Sequence, residues 1–522
     1  MKALWASLPF LPLLLTAAPR SFLAHDEGYY ALQARWIAQS GQWLGPPWWD
    51  QVIFDRSIGL PWLIAAAYRL LGVAPWVAHL PSLLAAVVSL LLTAALARHL
   101  LGGNGAGWLA AAVLALTPLW LDYAHLASQD MPLLALELLG ILALLRAGDG
   151  PPQHWTFLAG AWIGPAFLIK GFMVALPLVA LLPFALLERR AVLGRPAFWL
   201  GLALGWLPVV LWLGLSLQVL GLPVVAGLWQ KLLYLSESDV YSAGPLYYLW
   251  NLPANTFPWC LFALAGWRGW LASPMDRARR LLLLLYPLLL LLLLSAFRTK
   301  TPYYGLQLTP FLALAATAGL RSWSTAAGRG PRWASLGAAG LGLLLLLAAA
   351  VVVLWPGAPA GRLLAHGVAA LAPAPELFAV AAGSLGLAWA LVPWCGHGPR
   401  RLGALLAGPW LALALLVQAG LFSDRSPLQR QALARPEAEA ALAAGPIAAA
   451  AGAPLSGEEH AGLILVALAS PRLIPRISAP ERVPPGERVW IRRHELPAGW
   501  DLRLQAPALE PWVLAEASGA AR

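Results

Sequence analysis

The dominant pattern along the chain is long apolar runs separated by short polar breaks. Leu281–Leu294, Leu341–Trp355 and Leu402–Phe422 are unbroken or nearly so. Runs of about 18 or more apolar residues belong to bilayer spans rather than to the faces of soluble helices. Marking each run by its breakers predicts thirteen spans, near 3–19, 76–97, 106–124, 130–146, 155–169, 172–187, 197–219, 255–270, 280–296, 303–320, 334–355, 376–394 and 402–422. Gly59–Leu71 is apolar but short, bracketed by Asp55, Arg56 and Arg69. Segments of about 10–14 apolar residues often lie along the membrane interface, and this one is read so. Beyond Phe422 the pattern changes to charged, proline-rich sequence with short strand-like runs at Leu463–Leu468 and Val489–Arg492. The expected fold class is an all-α polytopic membrane protein. A transmembrane domain over 1–422, with an outer loop at 20–75, is followed by a small soluble α/β domain at 423–522. Internal repeats are not evident.

Composition agrees with this reading. Hydrophobic residues make up 60% of the chain and charged residues 11%, against roughly 25% charged in soluble domains. The net charge is +11. The part after Phe422 holds 11 Arg and 11 acidic residues, so the excess lies in the membrane part. There it follows topology. Arg98, Arg146, Arg189, Arg190, Arg195, Arg277, Arg279, Arg280, Arg329, Arg332, Arg400 and Arg401 fall in alternate loops, the positive-inside pattern. That parity puts the N-terminus in the cytoplasm, and residues 20–75 and the C-terminal part outside. No basic, aromatic-interleaved stretch points to nucleic acid. Cys260 and Cys395 are isolated and indicate neither a disulfide framework nor a zinc site. Residues 1–19 have signal-peptide features, but no Ala-x-Ala site precedes Arg20, so a retained first span is expected. The Ala/Leu/Arg-rich usage suits a GC-rich bacterial genome.

Ionisable groups in so apolar a chain are candidate functional groups. His25-Asp-Glu-Gly-Tyr-Tyr30 follows the first span and opens a predicted helix ending before Gly41. In a regular helix Asp26, Tyr29, Tyr30 and Gln33 share a face. Capping would account for Asp26–Glu27 alone. Asp55, Arg56, Asp122, His125 and Asp130 fall on the same predicted outer side, and Glu137 lies seven residues deeper than Asp130. The chain has only four Lys, and Lys170, Lys231 and Lys300 are all outside. Interfacial snorkelling is the plain account of such lysines. A compact ammonium also suits a phosphate oxygen, and Arg a bidentate grip. Arg298 and Lys300 offer both in one loop. Trp43, Trp48, Trp49, Tyr303 and Tyr304 flank these groups, as an aromatic belt would.

Four segments resemble the GT-C membrane glycosyltransferases, in particular the group of protein O-mannosyltransferases and lipid A aminoarabinose transferases. They are His-Asp-Glu-Gly-Tyr-Tyr-Ala at 25–31, Ser-Gln-Asp-Met-Pro-Leu-Leu at 128–134, Gly-Pro-Ala-Phe-Leu-Ile-Lys-Gly at 164–171 and Arg-Thr-Lys-Thr-Pro-Tyr-Tyr at 298–304. Their order and spacing across residues 20–320 carry the resemblance. One outer loop departs: Phe-Asp-Arg-Ser-Ile-Gly at 54–59 stands where the family often has Glu-Lys-Pro-Pro-Leu-Gly, so Arg56 takes the lysine's place and the double proline is lost.

The resemblance implies inverting transfer of a sugar from a polyprenyl-phosphate donor to a lipid, glycan or protein acceptor at the outer face of a bacterial inner membrane. It implies Asp26 as general base, with Glu27 as neighbour or alternative and Asp130 as orienting group. Lys300, Arg298, Arg56 and Lys170, in that order, are the implied cations for the donor phosphate. Tyr29, Tyr30, Asp55 and Tyr303 are supporting residues on the acceptor side. No cofactor is required. A divalent cation, used by oligosaccharyltransferases, is disfavoured because the spacing of Asp26, Asp122 and Asp130 carries no ligand signature. The expected partners are the lipid-linked sugar, the acceptor and membrane lipids. A transporter or lipid flippase is the alternative, and Glu137 is its best support.

Overall fold

The computed structural model describes residues 8–518, except 46, 50, 55, 151, 238–241, 327, 356–374 and 452–453. Two compact units emerge. The first comprises residues 1–19, 82–211 and 231–423; the second comprises 20–81, 212–230 and 424–522. The first unit thus ends at Ser423, and the segment from Asp424 is grouped with residues 20–81 and 212–230.

The first unit is helical. Among the described residues of the whole chain, seven helices have the length and composition to cross a membrane. The pair Asn104–Ala115 and Pro118–Ala124, bent by 74°, would make an eighth. Other expected spans are short or broken, and of the one expected at 3–19 residues 3–7 lie outside the described residues while the rest holds only the turn Leu8–Phe10 and the four-residue helix Leu11–Leu14. Asp130–Ala147 has 18 residues and carries Asp130, Glu137 and Arg146. Trp259–Ala272 has 14 residues and Thr309–Thr325 has 17. The two runs expected at 155–169 and 172–187 fall within one helical stretch, Gln153–Glu188. Gly171 interrupts its regular α-helix with a φ of 55°, a conformation that suits a residue without Cβ.

Small residues let these helices touch backbone to backbone. A Cβ on Gly266 would lie 2.0 Å from the Ala315 carbonyl oxygen, and one on Gly319 would lie 2.0 Å from that of Phe262. The Trp259–Ala272 and Thr309–Thr325 helices therefore meet at a glycine seam, as membrane helices do where no water drives them together. Some polar groups inside are matched in pairs. The Tyr286 hydroxyl donates to Glu137, whose side chain is fully buried. Trp120 donates to Ser89 Oγ at 3.1 Å, and Ser82 both donates to the Ser128 carbonyl and accepts from its N–H, at 3.1 and 3.2 Å.

The second unit contains the 13-residue apolar helix Gly59–Leu71. It also holds a short hairpin, β1 (Pro47–Trp48) with β2 (Gln51–Val52). A five-stranded sheet follows: β3 (Ile447–Ala450), β4 (Arg476–Ile477), β5 (Arg488–Arg492), β6 (Asp501–Leu504) and β7 (Trp512–Glu516), in the order β4-β3-β5-β7-β6. β3 runs parallel to β4 and β5, while β7 is antiparallel to β5 and β6. The parallel β3–β4 pair needs a long crossover, and the helix Gly457–Ala469 supplies it. Leu463–Leu468, strand-like in sequence, lies in this helix. A full capping box at Ser456 and Glu459 starts the helix upstream of that run. Val489–Arg492 lies in β5, where Val489, Trp490 and Ile491 are all fully buried. Burial on both faces removes the polar alternation.

Candidate functional site

In the second unit the acidic pair sits on one turn of π-helix, Ala24–Gly28, closed by the Gly28 N–H on the Leu23 carbonyl at 3.0 Å. Single π-turns often mark functional sites. The α-helix Tyr29–Ser40 continues from it and ends at Gly41 with φ 76°, where sequence placed its end. The wider turn alters the expected helix face. Asp26 is exposed, whereas Tyr29, Tyr30 and Gln33 are buried. An extra residue in the turn rotates what precedes it, so the 3–4 spacing counted from Tyr29 no longer includes Asp26.

The two carboxylates are held differently. Glu27 is 0% exposed. One oxygen accepts the Leu23 N–H at 2.8 Å, and the other lies 2.6 Å from His79 Nε2. His79 Nδ1 is in turn 2.6 Å from the Pro75 carbonyl, and its ring stacks on Phe22 at 5.6 Å. Glu27 is thus locked into the protein, and the carboxylate next to it in the chain is presented at the surface of its unit. His79 was not singled out from sequence. A lone histidine in the apolar run Val77–Leu80 was the available signal.

Aromatic rings border this segment. Tyr29 stacks on Trp48 at 4.3 Å, and Trp48 meets Trp49 edge-on at 4.7 Å. The Arg56 guanidinium lies 4.2 Å from the centre of the Tyr29 ring and 5.0 Å from that of Tyr30. Such contacts favour a cation without neutralising it. Trp49 has φ 56°, unusual for a bulky residue. It occupies the first turn position of a two-residue hairpin, where positive φ is the preferred geometry. Among the described residues the Trp49 indole N–H and both amide atoms of Gln33 are buried without a hydrogen-bond partner. Asp55 lies outside the described residues.

In the first unit a second cluster forms. Asp130 opens the helix Asp130–Ala147, and Lys170 ends the helix Ile163–Lys170. The Lys170 ammonium donates to the Asp130 carboxylate, with side chains 12% and 11% exposed. It also lies 4.7 and 5.4 Å from the ring centres of Tyr303 and Tyr304. Tyr303 faces Tyr123 at 5.9 Å. Three of the four sequence segments thus converge here: 128–134, 164–171 and 298–304. Arg298 is exposed in the same loop.

Lys300 is placed differently from its expected role. It is buried, and its ammonium donates to the carbonyls of Ser295 at 2.9 Å, Leu294 at 3.3 Å and Phe297. These carbonyls close the helix Tyr286–Ala296, whose end favours a cation. Burial holds the Lys300 pKa below the usual lysine value. His125 is buried, with Nε2 2.8 Å from the Leu13 carbonyl and its ring against Phe422 at 6.2 Å. Among the described residues no group of three or more His, Cys, Asp or Glu side chains could hold a metal ion.

The chain thus carries an acidic turn in one unit and a Lys–Asp–Tyr cluster in the other. Comparison with known proteins bears on its class. Residues 55–213 match the family described as dolichyl-phosphate-mannose-protein mannosyltransferase. The chain is 28% identical over 171 residues to the undecaprenyl phosphate-alpha-4-amino-4-deoxy-L-arabinose arabinosyl transferase of Pseudomonas aeruginosa, covering 32% of this chain and 31% of that protein. With the same-named transferase of Pectobacterium atrosepticum it shares 28% identity over 294 residues, 54% of this chain and 51% of the relative. With the putative mannosyltransferase YycA of Bacillus subtilis it shares 32% over 167 residues, 32% of this chain and 24% of the relative. These matches span a quarter to a half of the relatives' lengths. In structure the chain superposes on ArnT from Cupriavidus metallidurans bound to undecaprenyl phosphate, with TM-score 0.75 and 19% identity, over 98% of this chain and 97% of that one. The apo form of the same protein gives 0.69. The chain is ArnT-like: in sequence over part of its length, and in fold over nearly all of it.

Proposed function

We propose that this protein is an inverting glycosyltransferase that moves a sugar from a polyprenyl-phosphate donor to a hydroxyl or amine of a lipid, glycan or protein acceptor. It works at the outer face of a bacterial inner membrane. Its N-terminus is cytoplasmic, its thirteen apolar runs all count as spans, and residues 423–522 fold outside as an α/β domain.

The acceptor heteroatom attacks the anomeric carbon as the bond from that carbon to the phosphate oxygen breaks, releasing polyprenyl phosphate. The proton lost by the acceptor passes to Asp26. The exposure of Asp26, beside a Glu27 that is fully buried, is the observation that carries this assignment. A base must be reachable by substrate, and Glu27, held by His79 and the Leu23 N–H, lies inside the protein. Glu27 therefore sets the turn that presents Asp26. The cations Arg56, Arg298 and Lys170 stabilise charge growing on the leaving phosphate. Asp130 orients Lys170, and Tyr303 walls its ammonium. Lys300 ranks last among the cations rather than first, because its donors already serve carbonyls; it shapes the 298–304 loop. Tyr29 and Tyr30 hold Arg56. No metal enters the scheme. Glu137, the best support for the transporter alternative, is fully buried and accepts from Tyr286 within the helix packing.

Purified protein in lipid nanodiscs, given a radiolabelled undecaprenyl-phosphate sugar and an extract of envelope lipids and glycans, is expected to transfer label with inverted anomeric configuration. Movement of the lipid-linked sugar across a vesicle membrane without any transfer would overturn the proposal.

A further inference from the structure

Within the second unit, the helix Gly457–Ala469 lies along the segment that carries Asp26. At one end, His25 Nε2 is 2.8 Å from the Gly457 carbonyl. At the other, Arg35 reaches the helix's last carbonyls, donating to Ala467 and Leu468 at 3.1 Å each and to Ser470 at 2.8 Å. Arg35 is 2% exposed. With no carboxylate on those donors, the Nη groups of the buried guanidinium are held by the negative end of the helix, whose terminal carbonyls have no partners of their own, while its Nε–H has no hydrogen-bond partner among the described residues. Between the two anchors the backbones close in. A Cβ on Gly28 would sit 2.8 Å from Ile464 Cγ2, a branched methyl with little room to swing away. His25 and Gly28 flank the acidic pair on either side. The C-terminal segment thus grips the π-turn before, after and beyond Asp26.

We propose that the Gly457–Ala469 helix is a positioning element for the catalytic turn, with Arg35 its lock and Gly28 the close contact that sets its distance. This rests on Asp26 being the base. Glu27 fixes the turn through His79, and the helix fixes it through residues 25, 28 and 35, so the Asp26 carboxylate projects from a turn held at several points. Orientation of a base matters steeply, since a displacement of about 1 Å can lower a rate on the order of 10²-fold.

The test uses full-length protein in nanodiscs with undecaprenyl-phosphate sugar and acceptor. Gly28→Ala is expected to lower kcat on the order of 10²-fold, with the KM for donor little changed. Gly28→Ala combined with Ile464→Ala, which removes the opposing methyl, recovers most of that loss. Arg35→Lys, which keeps the charge but not the fork, loses kcat while the protein remains monodisperse. Each variant's fold is checked by size exclusion and protease resistance. Should Gly28→Ala fail to fold, Arg35→Lys gives the same kcat-against-KM reading. Wild-type kcat in folded Gly28→Ala or folded Arg35→Lys, or additive loss in the double variant, would overturn the positioning role alone. Wild-type protein without any transfer would overturn the functional reading, and this inference with it.

Discussion

Removing Lys170 tests the Asp130 cluster quantitatively. The ammonium and carboxylate are both close to nine-tenths buried, at 12% and 11% side-chain exposure. The ammonium also faces Tyr303 at 4.7 Å and Tyr304 at 5.4 Å. Lys170→Met keeps the stem and deletes the charge, leaving Asp130 without this partner. Breaking a buried pair from one side costs about 3–5 kcal/mol, and the residual exposure of this pair places it at the lower end. The lost cation–π contact adds about 0.5–2 kcal/mol. Removing the second charge with Asp130→Asn should return much of the loss, because the penalty comes from the stranded carboxylate rather than from the pair's absence. The assay is thermal unfolding of detergent-solubilised protein for wild type, both single variants and the double. The expected order of midpoints is wild type, then the double variant, then Lys170→Met. A Lys170→Met midpoint equal to wild type, or a double variant below it, would refute the claim that the two charges answer each other.

Three further outcomes are expected. Gly319→Val places a side chain where a Cβ already lies 2.0 Å from the Phe262 carbonyl oxygen, so the helix pair must part, and fluorescence-detected size exclusion should show loss of the monodisperse peak. His460 has its pKa lowered by burial, then by the positive charges of His25 and Arg476. The unfolded chain therefore takes up a proton first as pH falls below about 6.5, and stability contributed by neutral His460 declines through that window and levels off below the folded value; unfolding midpoints from pH 8 to 5 should fall, with a shallower slope in His460→Gln. Ser456→Ala removes one arm of the capping box and should cost about 1 kcal/mol, read as faster amide exchange across 457–460 in the full-length protein.

Much of the fold was legible because its signals are local. Gly41 ends its helix, and Gly59–Leu71 is a short apolar helix. Span lengths were less legible where proline breaks a helix that hydropathy alone would run through, as at 255–270, where the chain is split into Tyr247–Thr256 and Trp259–Ala272 around Pro258. The candidate site was legible as residue types but not as roles. Asp26 and Glu27 are adjacent in sequence, yet a π-turn sends one outward and buries the other, and no residue pattern announces that turn. Lys300 looked like a phosphate ligand because lysine is rare here, whereas its donors end on carbonyls three to six residues back. Arg35 and His79 act through partners 432 and 52 positions away in sequence. Such long-range pairing has no local signature.

The central claim, that Asp26 is the catalytic base, is tested most directly by kcat and donor KM of Asp26→Asn beside Glu27→Gln in the same nanodisc transfer assay. The account predicts that folded Asp26→Asn loses on the order of 10²–10⁴-fold in kcat with donor KM little changed. Glu27→Gln should lose less, since it loosens the turn and leaves the base in place. Full transfer by folded Asp26→Asn would contradict it.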